Sequence, residues 1–174
     1  TGTLTEGRPS VRSVVTAQGW EQNEMLRLAA SLERASEHPL AQAVVQAAET
    51  RGLSLAQVNE FSSDTGRGVS GRVEAHPIVI GTAPMLEEYG IPVTKLEQAA
   101  ADASARGETI VLVAIDGRLA GLIGIADAVK ASTPEAIRLL ETDGLRIVMV
   151  TGDSRATAAA IAKEVGLDAG AVMA

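Results

Sequence analysis

From Glu21 onward the apolar residues Met25, Leu26, Leu28, Ala29 and Leu32 recur at helical spacing, and a second helical pattern runs from Leu40 to Ala48 and stops at Gly52. Pro39 opens that second pattern, in the first turn, where a missing N–H costs nothing. Val58 to Ser63, Val69 to Ala75 and Pro77 to Ile80 then read as short strands, punctuated by Gly66, Gly68, Gly71 and Gly81. Helical segments are predicted at Pro84 to Tyr89 and Leu96 to Arg106, the latter opened by Thr94 and Glu97 at capping-box spacing and closed by Gly107. Two further strands follow, Thr109 to Ile115 and Leu119 to Ile125. At the start, Thr1 to Glu6 reads as a hydroxyl-rich connector that Gly7-Arg8-Pro9 breaks before a β-type run from Val11 to Val15.

The last third has another style. A loop at Ala126 to Lys130 leads to a helix from Pro134 to about Asp143, with Thr133 as its cap and Gly144 as its stop. Arg146 to Val150 is a buried-type strand that runs directly into Thr151-Gly152-Asp153 and a helix ending at Val165 and Gly166. Strand and helix alternating with short connections predict a parallel, doubly wound sheet, with ligands at the carboxyl ends of its strands. The fold class expected is therefore α/β (α+β). An antiparallel α+β module spans roughly residues 10–118, between residues 1–9 and the parallel α/β piece at 119–174.

Composition removes several function classes. Of the residues 46% are hydrophobic but only 2% aromatic, namely Trp20, Phe61 and Tyr89, so the core rests on Ala, Val, Leu and Ile. Such a chain has no row of aromatic platforms for single-stranded bases. Fifteen Lys and Arg against 22 Asp and Glu give a net charge of -7, which would repel a phosphate backbone, so no nucleic-acid partner is expected. No cysteine and only two histidines leave no thiolate or imidazole metal cage. No apolar run approaches the roughly 18 residues of a membrane span, so the piece is expected to be soluble by itself. Thr1-Gly2-Thr3 reads as the interior of a longer chain.

The candidate chemistry lies in five strings: Thr1-Gly2-Thr3-Leu4-Thr5, Ser36-Glu37-His38-Pro39-Leu40 with Glu33 five residues before the histidine, Gly66-Arg67-Gly68-Val69-Ser70-Gly71, Asp127-Ala128-Val129-Lys130, and Val148-Met149-Val150-Thr151-Gly152-Asp153. A hydroxyl at the end of a buried strand, followed by a helix N-terminus, suits a phosphoryl oxygen. His38 falls at a helix junction, where side chains and free amides can face a ligand. The glycine string formally fits G-x-G-x-x-G, but it joins strand to strand and offers no helix dipole to a phosphate.

In this order and spacing the strings resemble those of the cytoplasmic ATP-binding portion of heavy-metal-transporting P-type ATPases, copper transporters foremost. The resemblance covers essentially the whole chain. It implies a nucleotide-binding domain inserted into a partial phosphorylation domain of haloacid-dehalogenase type, with ATP and Mg²⁺ as cofactors. In that family a phosphorylated aspartate and a lysine immediately precede the Thr1 string. Thr1 would then help hold the metal, and Thr3 with Thr151, Gly152 and Asp153 would serve the phosphoryl group. Glu33 and His38 would contact adenine, and Gly66, Gly68 and Gly81 would let backbone lie close to the nucleotide. Asp127 would belong to the hinge that links the nucleotide-binding and phosphorylation domains, close to the bound nucleotide. Thr82 stands where the family commonly has Asn, and Ala128 where it usually has Pro. The implied partners are ATP or ADP and the transmembrane and actuator domains of an integral membrane protein whose nucleotide site faces the cytoplasm. Self-association of the piece is also expected, and without the aspartate no meaningful turnover. A soluble phosphatase with a cap domain and a nucleotide-sensing module are the alternatives.

Overall fold

The computed structural model describes residues 2–152 and 154–173. Six strands form one antiparallel sheet: β1 (Thr5–Thr16), β2 (Val58–Asp64), β3 (Gly68–Val73), β4 (His76–Gly81), β5 (Thr109–Ile115) and β6 (Arg118–Val129), in the spatial order β1-β6-β5-β4-β3-β2. Helices α1 (Gln22–Glu33) and α2 (Pro39–Thr50) pack on one face, and α3 (Ala83–Glu88) and α4 (Glu97–Ala105) on the other.

The period of two along each strand makes this three-layer arrangement necessary. Ile78, Ile80, Val113, Ile115, Ile123 and Ile125 turn toward Met25, Leu26, Leu28 and Leu32 of α1. Val79, Leu112, Ala114 and Leu122 turn the other way, toward Met85, Leu86, Ile91 and Leu96. Burying each such side chain contributes about 1.5–3 kcal/mol, which aliphatic residues supply without aromatics. Trp20 and Phe61 only rim the first core, and Tyr89 is exposed.

Several expectations change. The N-terminal segment is a strand from Thr5, not a connector broken at Gly7-Arg8-Pro9. Pro9 is tolerated because β1 is an edge strand and the ladder shifts register between Thr5 and Pro9. The loop expected at Ala126 to Lys130 is likewise strand as far as Val129, since Ala126 and Asp127 pair with Ser10 and Pro9. The division read at residue 118 therefore does not coincide with the end of the sheet. Leu122, Ile123 and Ile125 are fully buried in its two cores. The capping box does not form, because Thr94 lies in a tight turn, Thr94–Leu96, that delivers buried Leu96 to the core and makes Leu96 the cap of α4.

The C-terminal piece holds α5 (Thr133–Thr142), β7 (Met149–Val150), α6 (Arg155–Val165) and β8 (Val172–Met173), with β7 and β8 paired in parallel. Ile137, Met149, Ala158, Ala162, Val165 and Leu167 make a third core, against which Leu4 and Val129 pack. The five-residue buried strand expected at Arg146 to Val150 is only two residues long, and Val150 is 77% exposed. A parallel strand is buried only when covered on both faces, and among the described residues only β8 pairs with it.

Candidate functional site

Glu33 is the last residue of α1, 8% exposed, and burial pushes its carboxyl up to about 7. Among the described residues the carboxyl has no hydrogen-bond or ion-pair partner. The connection that follows is wound tightly: Ser36 donates its N–H to the Glu33 carbonyl at 2.8 Å, and His38 donates its N–H to the Ser36 hydroxyl at 3.3 Å. His38 then caps α2, Nδ1 accepting the Leu40 N–H at 3.2 Å. A ring nitrogen that accepts carries no hydrogen, so the neutral ring has its proton on Nε2, on an exposed side chain. The junction thus presents an unpaired carboxyl and a free N–H donor at adjoining helix ends.

The glycine turn lies beyond the end of α1. A β-carbon on Gly71 of β3 would meet Leu32 Cδ1 at 2.8 Å, so the last turn of α1 crosses β3 three residues, about 10 Å, from Gly68. Gly68 and Gly81 pair across β3 and β4. A β-carbon on Gly68 would overlap the Ile80 carbonyl oxygen and lie 2.7 Å from Met85 Sδ, and one on Gly81 would overlap the Arg67 carbonyl oxygen. Both glycines are therefore demanded by packing. Gly66 differs: it has φ +75°, and a β-carbon there would meet no atom within 4 Å, so its space is open. Arg67 between them pairs with Glu88 at 2.6 Å and Asp64 at 3.1 Å, pinning the turn to α3. Thr82 donates its N–H to the Arg67 carbonyl at 2.9 Å and caps α3 without a side-chain bond. On the α3 side of this turn lies an open, polar depression of about 560 Å³, lined among others by Asp64, Arg67, Ser70, Glu88 and Tyr89; neither Glu33 nor His38 reaches it.

At the other group of residues, Asp127 accepts the N–H groups of Gly7 and Arg8, one on each carboxylate oxygen, both at 2.9 Å. The carboxylate fills the gap left in the β1–β6 ladder by the register shift. Lys130 donates its ammonium to the Gly2 carbonyl at 2.8 Å and the Thr3 carbonyl at 3.2 Å. Leu4 accepts both the Lys130 N–H, at 3.0 Å, and the Thr133 hydroxyl, at 2.8 Å. Thr133 is thus committed to the N-terminal strand, and Ser132 is the cap residue of α5. The role of Thr133 could not have been found from spacing, since its partner stands 129 positions away.

Thr151 follows β7 and donates its N–H to the Met173 carbonyl at 3.0 Å; Gly152 is exposed. Leu4 and Met149 belong to one core, which brings Thr3 and Thr151 to the same end of the molecule. Thr1 and Asp153, the sequence's metal and fourth phosphoryl candidates, lie outside the described residues. Among the described residues no group of three or more His, Cys, Asp or Glu could hold a metal, and no helix is long and apolar enough to cross a membrane. The candidates therefore lie on two sets of elements. Glu33 and His38 stand at the end of α1 and the start of α2, and Gly66, Gly68 and Gly81 at the turn before β3 and on the β3–β4 pair. Thr3, Asp127, Thr151 and Gly152 gather around the ends of β1, β6 and β7.

A sheet module carried on one adjacent strand pair, β1 and β6, beside a small parallel α/β piece is the architecture of an inserted domain in a Rossmann-type frame. The chain belongs to the haloacid dehalogenase-like hydrolase family, whose profile matches residues 1–172. Within it, the chain is similar to heavy-metal P-type ATPases over nearly all its length. It is 45% identical to copper-transporting ATPase 2 of Rhizobium meliloti (strain 1021) and 42% identical to the silver exporting P-type ATPase of Salmonella typhimurium, in each case over 97% of this chain and 20% of the relative. The chain thus spans about a fifth of the length of these curated relatives. Among solved structures, a zinc-transporting PIB-type ATPase in its E2.Pi state shares 33% identity with a TM-score of 0.76, over 97% of this chain and 27% of that one. The catalytic domain of the CPx-ATPase CopB-B, studied upon nucleotide binding, shares 25% identity with a TM-score of 0.69, over 97% of this chain and 57% of that one.

Proposed function

We propose that this chain is the ATP-binding region, with part of the phosphorylation region, of a P-type ATPase that moves a heavy-metal cation across a membrane, monovalent copper first among the candidates. The observation that carries the reading is the α1–α2 junction, where Glu33 ends α1 with an unpaired carboxyl and His38 caps α2 through Nδ1, leaving its Nε2–H unused. Adenine offers an amino donor and ring-nitrogen acceptors, so one acceptor and one donor at adjoining helix ends match it. The open space at Gly66 admits backbone approach to the sugar. Identity above 40% with copper and silver transporters supports the same reading.

In the whole protein the γ-phosphoryl group would pass to an aspartate preceding Thr1, and the acyl-phosphate would drive ion movement. Thr3, Thr151 and Gly152 would supply hydrogen bonds to that group, and Asp127 would hold the hinge. Positioning and charge stabilisation carry most of the catalysis in such transfers. Mg²⁺ is held largely by substrate phosphates, waters and one or two carboxylates, so it would arrive with ATP and meet the Thr1 position. The chain would face the cytoplasm, joined to transmembrane and actuator domains. The exposed β7 and α5 surfaces support self-association of the isolated piece.

Calorimetry with ATP, ADP, AMP and GTP tests the reading. Binding of all three adenine nucleotides with weaker GTP is expected. No binding, or binding indifferent to the base, would sink it and favour a phosphatase cap.

A further inference from the structure

The sheet module and the C-terminal piece touch where α4 ends, at a contact that the proposed site does not use. Gly107 turns the chain out of α4, and a β-carbon there would lie 3.7 Å from Ala160 and 3.8 Å from Ile161 of α6, an ordinary packing distance. The next residue, Glu108, is 4% exposed. Its carboxylate accepts from the Ser13 hydroxyl of β1 and, at 2.8 Å, from the Arg106 guanidinium, and it lies over Gly124 of β6, where any β-carbon would overlap it. The Glu108 side chain is thus tied to the sheet, and its main chain is held still.

The main-chain carbonyl of Glu108 faces α6. Thr157, 2% exposed, has its hydroxyl 3.0 Å from that carbonyl. A carbonyl has no hydrogen to give, so Thr157 donates, and its single proton is then committed. The second hydroxyl contact, Ser154 to Thr157 at 3.0 Å, must consequently be donated by Ser154. Ser154 also accepts the Thr157 N–H at 3.2 Å as the cap of α6. One directed chain of hydrogen bonds therefore runs from the cap of α6, three residues after Thr151, through Thr157 to the anchored Glu108 carbonyl.

We propose that Thr157 is a positioning residue: by donating to the Glu108 carbonyl it docks α6, and with it the Thr151-Gly152 turn, against the nucleotide-module sheet. The docking sets the reach between the adenine-facing junction and the phosphoryl-facing turn. That consequence rests on the proposed function, whereas the docking does not.

The absence of cysteine makes the test direct, because Gln46→Cys on α2 and Glu164→Cys on α6, both exposed, give two unique spin-label sites. Double electron–electron resonance on the otherwise unaltered chain should show one narrow distance. Thr157→Val, which removes the donor at similar volume, should add a longer-distance population at least as large as the original. Thr157→Ser should restore the single narrow distance. Ser154→Ala should leave it narrow, since the Thr157 donation survives. A narrow distance in Thr157→Val overturns the proposal, and so does equal broadening in Ser154→Ala, which would reduce the contact to helix capping. If Thr157→Val does not fold, Thr157→Ala, which also removes the donor, is read instead, and a narrow distance there overturns the proposal. A parent chain that gives the narrow distance yet binds no ATP in calorimetry would sink the proposed function and leave the docking standing.

Discussion

Gly68 and Gly81 stand directly opposite each other on β3 and β4, with Met85 Sδ within 2.8 Å of where either side chain would begin. Alanine at Gly68 or Gly81 should therefore destabilise by about 1–3 kcal/mol through overpacking, lowering the melting temperature by about 2–4 °C per kcal/mol in a chain of this size. Loss of ATP binding in those variants would not by itself locate the nucleotide. Gly66→Ala separates the effects: its β-carbon meets nothing within 4 Å, so the cost is the left-handed backbone alone, about 1–2 kcal/mol. Calorimetry on that folded variant should show weakened ATP binding, and unchanged affinity would remove Gly66 from the site.

His38 has two roles that different substitutions pull apart. His38→Ala loses the cap on α2, about 0.5–2 kcal/mol, together with the adenine contact, about 1–3 kcal/mol or roughly 5- to 150-fold in affinity. His38→Asn restores a capping oxygen without the imidazole. Its melting temperature should match the parent's while its ATP affinity falls as in His38→Ala. Parent-like affinity in His38→Asn would assign the histidine to helix capping alone.

The buried Glu33 gives stability a pH dependence of known direction. Its carboxyl is raised from 4.5 to about 7 in the folded chain, so between these values the native state keeps a proton that the unfolded state has lost. The favourable contribution is complete below about pH 4.5, fades as pH rises through the window, and is gone above about 7. The full loss is on the order of 3 kcal/mol. Glu33→Gln cannot ionise, so urea melts should show it gaining on the parent from pH 5 to 8 and levelling beyond. A constant difference across that range would mean that the carboxyl is not desolvated in solution.

Val150 and Met173 are exposed on the short β7–β8 pair, Leu139 and Leu145 are exposed on and after α5, and the outer edges of the pair have no partner strand among the described residues. Such edges favour pairing between chains. Sedimentation should show concentration-dependent association that Val150→Lys reduces without changing nucleotide affinity. Hydrogen exchange in dilute monomer should protect residues 25–115 strongly and residues beyond 130 less. A monomer protected evenly throughout would show that the C-terminal piece closes its own core.

What the sequence disclosed was local. The helically spaced run from Met25 to Leu32 and the short continuous apolar run from Ile110 to Ile115, stopped at Asp116-Gly117, announce a helix and a strand because each pattern is set by neighbours within a few residues. Ala126-Asp127-Ala128 was unreadable as strand, having no β-branched residue; it is strand because β1 lies alongside it. In the site, the strings Glu33 to His38 and Gly66 to Gly68 were visible as chemistry. The reason Gly68 must be bare was not, since Ile80 and Met85 arrive from later elements. Lys130 holding Gly2 and Thr3, and Thr157 holding Glu108, join positions too distant for any periodicity to report.

The β1–β6 ribbon also has a mechanical meaning. Two twelve-residue strands, each about 40 Å long, carry the chain into and out of the sheet module side by side, with Thr5 opposite Val129 at the open end. Force drawing the two exits apart loads the ladder as a zipper, one rung at a time, rather than in shear across all rungs together. The first rungs under load are the Asp127 bonds to Gly7 and Arg8 and the Lys130 bonds to Gly2 and Thr3. The module is accordingly weakest to peeling at its neck, and the two charged side chains stand where a tear would begin.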